Sequence, residues 1–374
     1  MENIVLDPYN HQKLYENWKK KPYNPYVSKA NNQIIKQYVF DMEIGKNISR
    51  HSQKGARSYT RLNHLRQKSF FIAELLEKYQ KVKDITQVKE DNLHKLFDDM
   101  RKGKIKRLDG NVYTSVGDYV KIFKAFWHWY QIVNRKKGIE ISDITLELDS
   151  STEKEPEFVY FTEEQLNEMI RIADDDMKVV MLFLYDTGMR VTEMKNIKVS
   201  DFSDDYKSVT IRKETSKTFG RKIKLMMSSE VIKKYIKTMQ LAKDNFVFKL
   251  APNEMNKKLN AIGNKILGKD NMTLYDIRHS SACYWYPRYP DIKGLLYRFG
   301  WKKLEMALYY ARFMGMDDTI SEEDLLLGVT KTELEKEIGQ LKKEVGELSK
   351  YKEVLAMLGE GKIHLFKKGK KHYP

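Results

Sequence analysis

The chain of 374 residues has one cysteine, Cys283, so neither an intramolecular disulfide framework nor a cysteine-built zinc site is open to it. Its eight histidines, at 11, 51, 64, 94, 128, 279, 364 and 372, include no pair at a metal-ligand spacing. Long apolar runs are lacking too. The longest, Val179 to Tyr185, falls far short of the ~20 residues that cross a bilayer. The first thirty residues are polar and hold no h-region of a signal peptide. Apolar residues make up only 41%, yet 12% aromatic and 17 Met are too many for a disordered chain. Together these absences predict a soluble, folded protein of a reducing compartment.

Positive charge is what the chain has in excess. Lys+Arg outnumber Asp+Glu by 68 to 52, a net +16, which points to a polyanionic partner: nucleic acid or an acidic membrane surface. With no membrane segment, nucleic acid comes first. The length predicts two domains with accessory segments.

The organisation reads as mainly α with a small β-hairpin. Residues 1–30, with Pro8, Pro22 and Pro25, are expected as an N-terminal arm, and residues 31–142 as a helical domain. Leu62, Leu65, Ile72, Leu75 and Leu76 form one stripe at helical spacing, with Lys54, Arg57, Arg61, Arg66 and Lys68 around it as a solvated or phosphate-contacting face. Val116, Val120, Phe123, Trp127 and Tyr130 mark the core side of a second helix. Residues 143–157 are acidic and interrupted by Pro156, which predicts an inter-domain linker. A second domain over 158–328 opens on the capping box Thr162–Gln165, followed by a buried helix from Met177 to Tyr185. Residues 208–225 alternate as two strands around Lys-Thr-Phe-Gly, which predicts a hairpin. Over 329–374, Leu334, Ile338, Leu341, Val345 and Leu348 step by 4, 3, 4, 3, an oligomerisation seam on a C-terminal helix ahead of a solvated basic tail (Lys367, Lys368, Lys370, Lys371).

Four dispersed stretches stand out for a phosphodiester substrate. They are Thr187-Gly188-Met189-Arg190-Val191-Thr192-Glu193, the turn Ser216 to Arg221, Leu274-Tyr275-Asp276-Ile277-Arg278-His279, and Phe299-Gly300-Trp301 with Tyr310 nine residues on. In order and spacing they resemble the catalytic domain of the tyrosine recombinase (phage integrase) family. The resemblance covers about residues 158–315, with a match to that family's helical core-binding domain over about 31–140. It implies a helical core-binding domain plus an α+β catalytic domain, and a site-specific, metal-independent DNA strand transferase. That enzyme would integrate or excise a mobile element as a homotetramer on double-stranded attachment sites. No cofactor and no membrane are implied, and the protein is expected in the cytoplasm with the nucleoid.

The roles follow from what a phosphorane needs. Arg190 and Arg278 suit its nonbridging oxygens through paired N–H donors, and Trp301 offers a further N–H. Tyr310 is the implied nucleophile, leaving a 3′-phosphotyrosyl link. Lys217, at the hairpin tip, is the best candidate for the acid that protonates the departing 5′-oxygen. Tyr275 stands where the family usually has a His, a departure that shifts the resemblance toward archaeal mobile-element integrases. Glu193 and Asp276 are expected to orient the arginines from behind, with solvent exposure the other reading for each. His279 would brace its helix, and Arg221 would contact backbone phosphate with Lys54, Arg57, Arg61 and Lys68. Tyr309 competes with Tyr310, since neighbours on a helix point about 100° apart. Asp174-Asp175-Asp176 point three ways for the same reason, against a metal site. Two alternatives stay open: a DNA-binding module that has lost strand transfer, and a type IB-like topoisomerase.

Overall fold

The computed structural model describes residues 5–46, 55–151, 158–289 and 291–314, together with 338, 341, 342 and 345. Two compact units divide the chain at Ala307 and Leu308. The first unit holds two separate hydrophobic cores. Among the described residues the structure is helical apart from one two-stranded sheet, as expected.

The first core is built by helices α1 (His11–Lys20), α2 (Lys29–Glu43), α3 (Tyr59–Gln80), α4 (Glu90–Arg101) and α5 (Val116–Arg135). Serine hydroxyls cap two of them: Ser28 Oγ accepts from Asn31 N at α2, and Ser58 Oγ accepts from Arg61 N at α3. The aromatic stripe of α5 does pack inward, with Val116, Val120, Phe123 and Trp127 all buried and Tyr130 stacked on Phe126. Trp127 and Trp129 satisfy their indole N–H groups on Ser142 O (3.0 Å) and Asp41 Oδ2 (3.1 Å), which is what allows rings of that size to be buried.

Two stretches are more ordered than their composition suggests. Within residues 1–30, α1 buries Tyr15 in the first core, and Asn63 Nδ2 donates to His11 O at 2.8 Å. Ahead of α1, Leu6 pairs with the second core: its N–H donates to Asn196 Oδ1 (2.7 Å) and its carbonyl accepts from Asn196 Nδ2 (3.1 Å). Residues 143–151 fold back on the first core through buried Leu148 and through Arg101 Nη2, which donates to Asp149 O at 2.6 Å. The remainder of that segment, 152–157, lies outside the described residues.

The second core gathers α6 (Glu163–Ile172), α7 (Asp175–Thr187), α8 (Val191–Lys195), α9 (Ser229–Thr238), α10 (Pro252–Leu267) and α11 (Leu274–Trp285). The Thr162–Gln165 capping box closes in both directions. Strands β1 (Ser208–Ile211) and β2 (Arg221–Lys224) pair antiparallel, Val209 opposite Ile223 and Ile211 opposite Arg221. Their inward residues Val209, Ile211 and Ile223 join the core, as the alternation predicts. Helix α12 (Ile292–Phe299) packs beside β2. The acidic triplet does diverge: Asp174 caps α7 and meets Lys258 at 2.9 Å, Asp175 is exposed, and Asp176 accepts from Tyr235 Oη at 2.5 Å.

Helix α13 (Glu305–Phe313) carries residues of the second unit from Leu308 on. There, Tyr310 is buried and Tyr309 partly exposed, their rings 5.1 Å apart. Of the C-terminal seam, Ile338, Leu341 and Val345 are described and exposed, at 50, 54 and 64%. Leu334, Leu348 and the basic tail lie outside the described residues. No helix among those described is long and apolar enough to cross a membrane.

Candidate active site

Two helix ends make the floor of the site. Helix α7 stops at Gly188, whose φ of 59° is left-handed, and α12 stops in the same way at Gly300, φ 61°. Glycine is needed at both for a second reason. A Cβ on Gly188 would collide with the Phe299 ring, and one on Gly300 would sit 2.7 Å from Arg221 Nη1. The two stops therefore lie against each other, with carbonyls turned toward the arginines.

Arg278, on α11, is buried and uses both terminal nitrogens on this floor. Nη1 donates to Gly188 O, and Nη2 donates to Phe299 O at 2.8 Å. Its guanidinium lies 5.4 Å from the Phe299 ring and 6.0 Å from that of Trp301. Trp301 is itself buried and stacked on Phe299 at 4.6 Å. Arg190 caps α8; its Nη2 donates to Gly300 O at 3.1 Å and its Nη1 to Glu193 Oε1 at 3.1 Å. Arg190, Arg278 and Trp301, separated by up to 111 positions in the chain, thus meet at one turn, residues 299–301.

Glu193 is the hub beneath them. Fully buried, it accepts from Arg190 N (2.9 Å), Ser216 Oγ (2.8 Å) and both Nη atoms of Arg221 (3.0 and 2.8 Å). Burial raises its pKa, but hydrogen bonding and charge from Arg221, with Arg190 behind, outweigh that and hold the carboxyl at about 2. It is ionised at neutral pH and orients Arg190 directly.

Arg221 requires a correction. Expected on a DNA phosphate, it is 2% exposed, with its fork spent on Glu193 and its Nε donating to Arg298 O at 2.9 Å. The cause is the hairpin register, which turns alternate residues of β2 inward. Asp276 also differs from its expected role. Its oxygens accept from Val159 N (2.9 Å), Thr273 N (2.7 Å) and Thr273 Oγ1 (2.8 Å), so it caps α11 rather than meeting an arginine.

Lys217 stands exposed on the turn between the strands. Tyr275 is 52% exposed, its ring 5.4 Å from that of His279. His279 stacks on Phe158 at 4.4 Å, and burial, with Arg278 next to it, pushes its pKa down to about 4 against a smaller opposing effect of Asp276. A neutral, stacked imidazole braces α11 against residue 158. Tyr310 and Tyr309 belong to the second unit.

On the first core the expected phosphate face is uneven. Arg61 is exposed and Arg57 half-buried. Lys68 is drawn inward, 4.4 Å over the Tyr119 ring and 3.4 Å from Asp118, and burial lowers its pKa. Lys54 lies outside the described residues.

One pair escaped the sequence reading. Arg298 Nη2 meets fully buried Asp186 Oδ1 at 3.0 Å, with the guanidinium 3.9 Å over Trp285. Asp186 Oδ2 in turn accepts from Met226 N, Met227 N and Ser228 N, tying α7 to the bend between β2 and α9. The available signal was an arginine on the buried stripe of α12, between Leu295 and Phe299.

Residues 159–314 match the model of the Phage integrase family. Tyrosine recombinase XerA of Pyrococcus horikoshii is 26% identical over 167 residues, 40% of this chain and 55% of XerA, so the chain spans about half the length of that curated relative. Among solved structures the fold is similar to the Tn1549 transposon integrase in complex with circular intermediate DNA (TM-score 0.55, 14% identity, 76% of this chain and 95% of that one). It is similar as well to XerH site-specific recombinase bound to a palindromic difH substrate (0.56, 16%, 86% and 95%). A lambda integrase dimer bound to a COC′ core site gives 0.55, at 14% identity over 83% of this chain and 87% of that one. At such identities these likenesses concern the fold. The match to the phage integrase family model thus falls on the same residues that build the second core and its arginine turn.

Proposed function

We propose that the chain is a site-specific tyrosine recombinase that breaks and rejoins duplex DNA to integrate or excise a mobile element. The observation that carries this reading is the convergence of Arg190 and Arg278 on the consecutive carbonyls of Gly300 and Phe299. Two guanidinium groups fixed by protein acceptors form a preorganised clamp for a phosphorane, whose charge develops only as the bond breaks. Trp301, stacked beside them, adds an indole N–H of the kind that reaches a nonbridging oxygen.

In the proposed step Tyr310 Oη bonds to phosphorus as the bond from phosphorus to the 5′-oxygen breaks. The phenolic proton passes from Tyr310 to solvent water, and Lys217 Nζ gives its own proton to the 5′-oxygen and takes another from water afterwards. The 3′-phosphotyrosyl link conserves the bond energy, so a 5′-hydroxyl from a second strand reverses the step and completes exchange. Two crossovers need four such sites, which is the argument for a homotetramer. Exposed Ile338, Leu341 and Val345, at a 3-4 spacing, support a subunit contact there. Residues 31–142, with Arg57 and Arg61, are read as the DNA-binding half, and Tyr275 as the mark of an archaeal mobile-element branch acting at the nucleoid.

Covalent trapping tests the reading. Wild type, Tyr310→Phe and Tyr309→Phe are incubated in EDTA with supercoiled DNA carrying the sequences that flank this gene, and denaturing gels then show DNA attached to protein. The expected result is an adduct that survives Tyr309→Phe and is absent from Tyr310→Phe. Its loss in Tyr309→Phe alone moves the nucleophile by one residue. No adduct from wild type that still binds DNA points to a binding module.

A further inference from the structure

The turn that carries Lys217 is fastened on both flanks. On one side, Ser216 Oγ donates to Glu193 Oε1 at 2.8 Å; on the other, Thr218 Oγ1 donates to Gly300 O at 3.0 Å. Thr218 N also donates to Ser216 Oγ at 3.3 Å, closing the turn on itself. The two distant acceptors are the same ones that orient Arg190: Glu193 Oε1 takes its Nη1 and Gly300 O takes its Nη2, each at 3.1 Å. The flanking residues are half-buried while Lys217 between them is exposed.

A lysine ammonium is a compact charge on a flexible four-carbon stem, so its position is set by its backbone and little else. A proton donor nevertheless has to stand within hydrogen-bond reach of the leaving oxygen, and a displacement of about 1 Å costs up to ~10²-fold in rate. Resting on the recombinase reading above, we propose that Ser216 and Thr218 are positioning residues that hold Lys217 in register with the phosphate bound by Arg190. The acid and the Arg190 half of the clamp then share one frame, because both hang from Glu193 and Gly300. Removing either hydroxyl still leaves each acceptor its arginine donors, Arg190 and Arg221 on Glu193 and Arg190 on Gly300. The loss therefore falls on Lys217, with the clamp intact.

The test compares two leaving groups. Full-length Ser216→Ala, Thr218→Val and the double variant are given a duplex carrying the cleavage site mapped by trapping, with either oxygen or sulfur bridging phosphorus to the 5′-carbon. A thiolate departs without a proton, so the sulfur substrate bypasses the acid. The double variant is expected to cleave the oxygen substrate about 10²-fold slower, with DNA affinity within about twofold of wild type and the sulfur substrate cleaved within about threefold of it. Thr218→Ser, which keeps the hydroxyl, should recover most of the loss from Thr218→Val. Equal losses on both substrates, or none on oxygen, would overturn the proposal. So would a Lys217→Ala variant that sulfur fails to rescue while wild type still forms its adduct, and in that case the recombinase reading survives. No wild-type adduct on either substrate defeats both.

Discussion

Arg221 and Glu193 make a two-point ion pair, 3.0 and 2.8 Å, in which neither side chain touches solvent. The pair joins β2 to α8 and sets the carboxylate from which Arg190 is oriented. It explains why a hairpin arginine that looks available to DNA is unavailable: moving its fork to a phosphate would take two charged donors from a buried carboxylate.

Removing the arginine should therefore act on stability first. Arg221→Ala is expected to lower the unfolding free energy by about 3 kcal/mol, the lower end of the usual cost of removing one partner of a buried ion pair, because Arg190 and Ser216 stay on Glu193. Urea unfolding measures it. A residue that only touched DNA would leave the urea midpoint in place and weaken binding alone.

His279 gives a pH signature. Its folded-state pKa of about 4 lies below the ordinary value near 6.5. Unfolded chains thus take up a proton that the folded protein refuses. Stability from this residue is complete above pH ~6.5 and is lost as pH falls toward about 4, by at most ~2 kcal/mol once solvent screening of a partly exposed ring is allowed for. Thermal melts between pH 7 and 4 should show the slope, and His279→Phe, which keeps the stack on Phe158, should flatten it. An unchanged slope would place the titration elsewhere.

These two residues also mark where sequence reasoning succeeds and stops. Local rules carried far: the Thr162 box and the inward stripe of α5 depend on neighbours within a few positions, the hairpin pairing on residues 10 to 16 apart, and all appear in the structure. Burial of a charged side chain depends on partners far along the chain. Glu193 lies 28 positions from Arg221, and Asp186 lies 112 from Arg298. Composition counts all such arginines as surface charge. Asp276 was the reverse case, since Thr273-x-x-Asp276 is a capping pattern visible in the sequence, yet its nearness to Arg278 invited a role beside the arginine.

The arginine clamp predicts a separation of binding from chemistry. Arg190→Lys keeps a positive charge but cannot span Glu193 Oε1 and Gly300 O with a planar fork. Cleavage of the mapped site is expected to fall by about 10²–10³-fold, the range for losing one preorganised donor, while DNA affinity changes little. A parallel fall in affinity would mean that Arg190 serves ground-state binding. Single-turnover adduct formation against a filter-binding curve distinguishes the two.

On the first core, the structure sorts basic residues that the sequence could only group. Arg61 is exposed, whereas Lys68 already has Asp118 at 3.4 Å and the Tyr119 face at 4.4 Å. A cation that neutralises a phosphate releases a counterion and steepens the dependence of log K on log salt by about 0.9 per contact on duplex DNA. Arg61→Ala should thus reduce that slope by about one, uniformly across DNA sequences. Lys68→Ala should reduce it by less than about half as much, because binding through Lys68 would first have to break its pairing with Asp118. Asp118→Asn provides the control: it frees Lys68, so the slope should steepen and affinity at low salt should rise. Equal slopes for Arg61→Ala and Lys68→Ala would mean that DNA draws Lys68 away from Asp118, and that the face is more uniform when bound than when free.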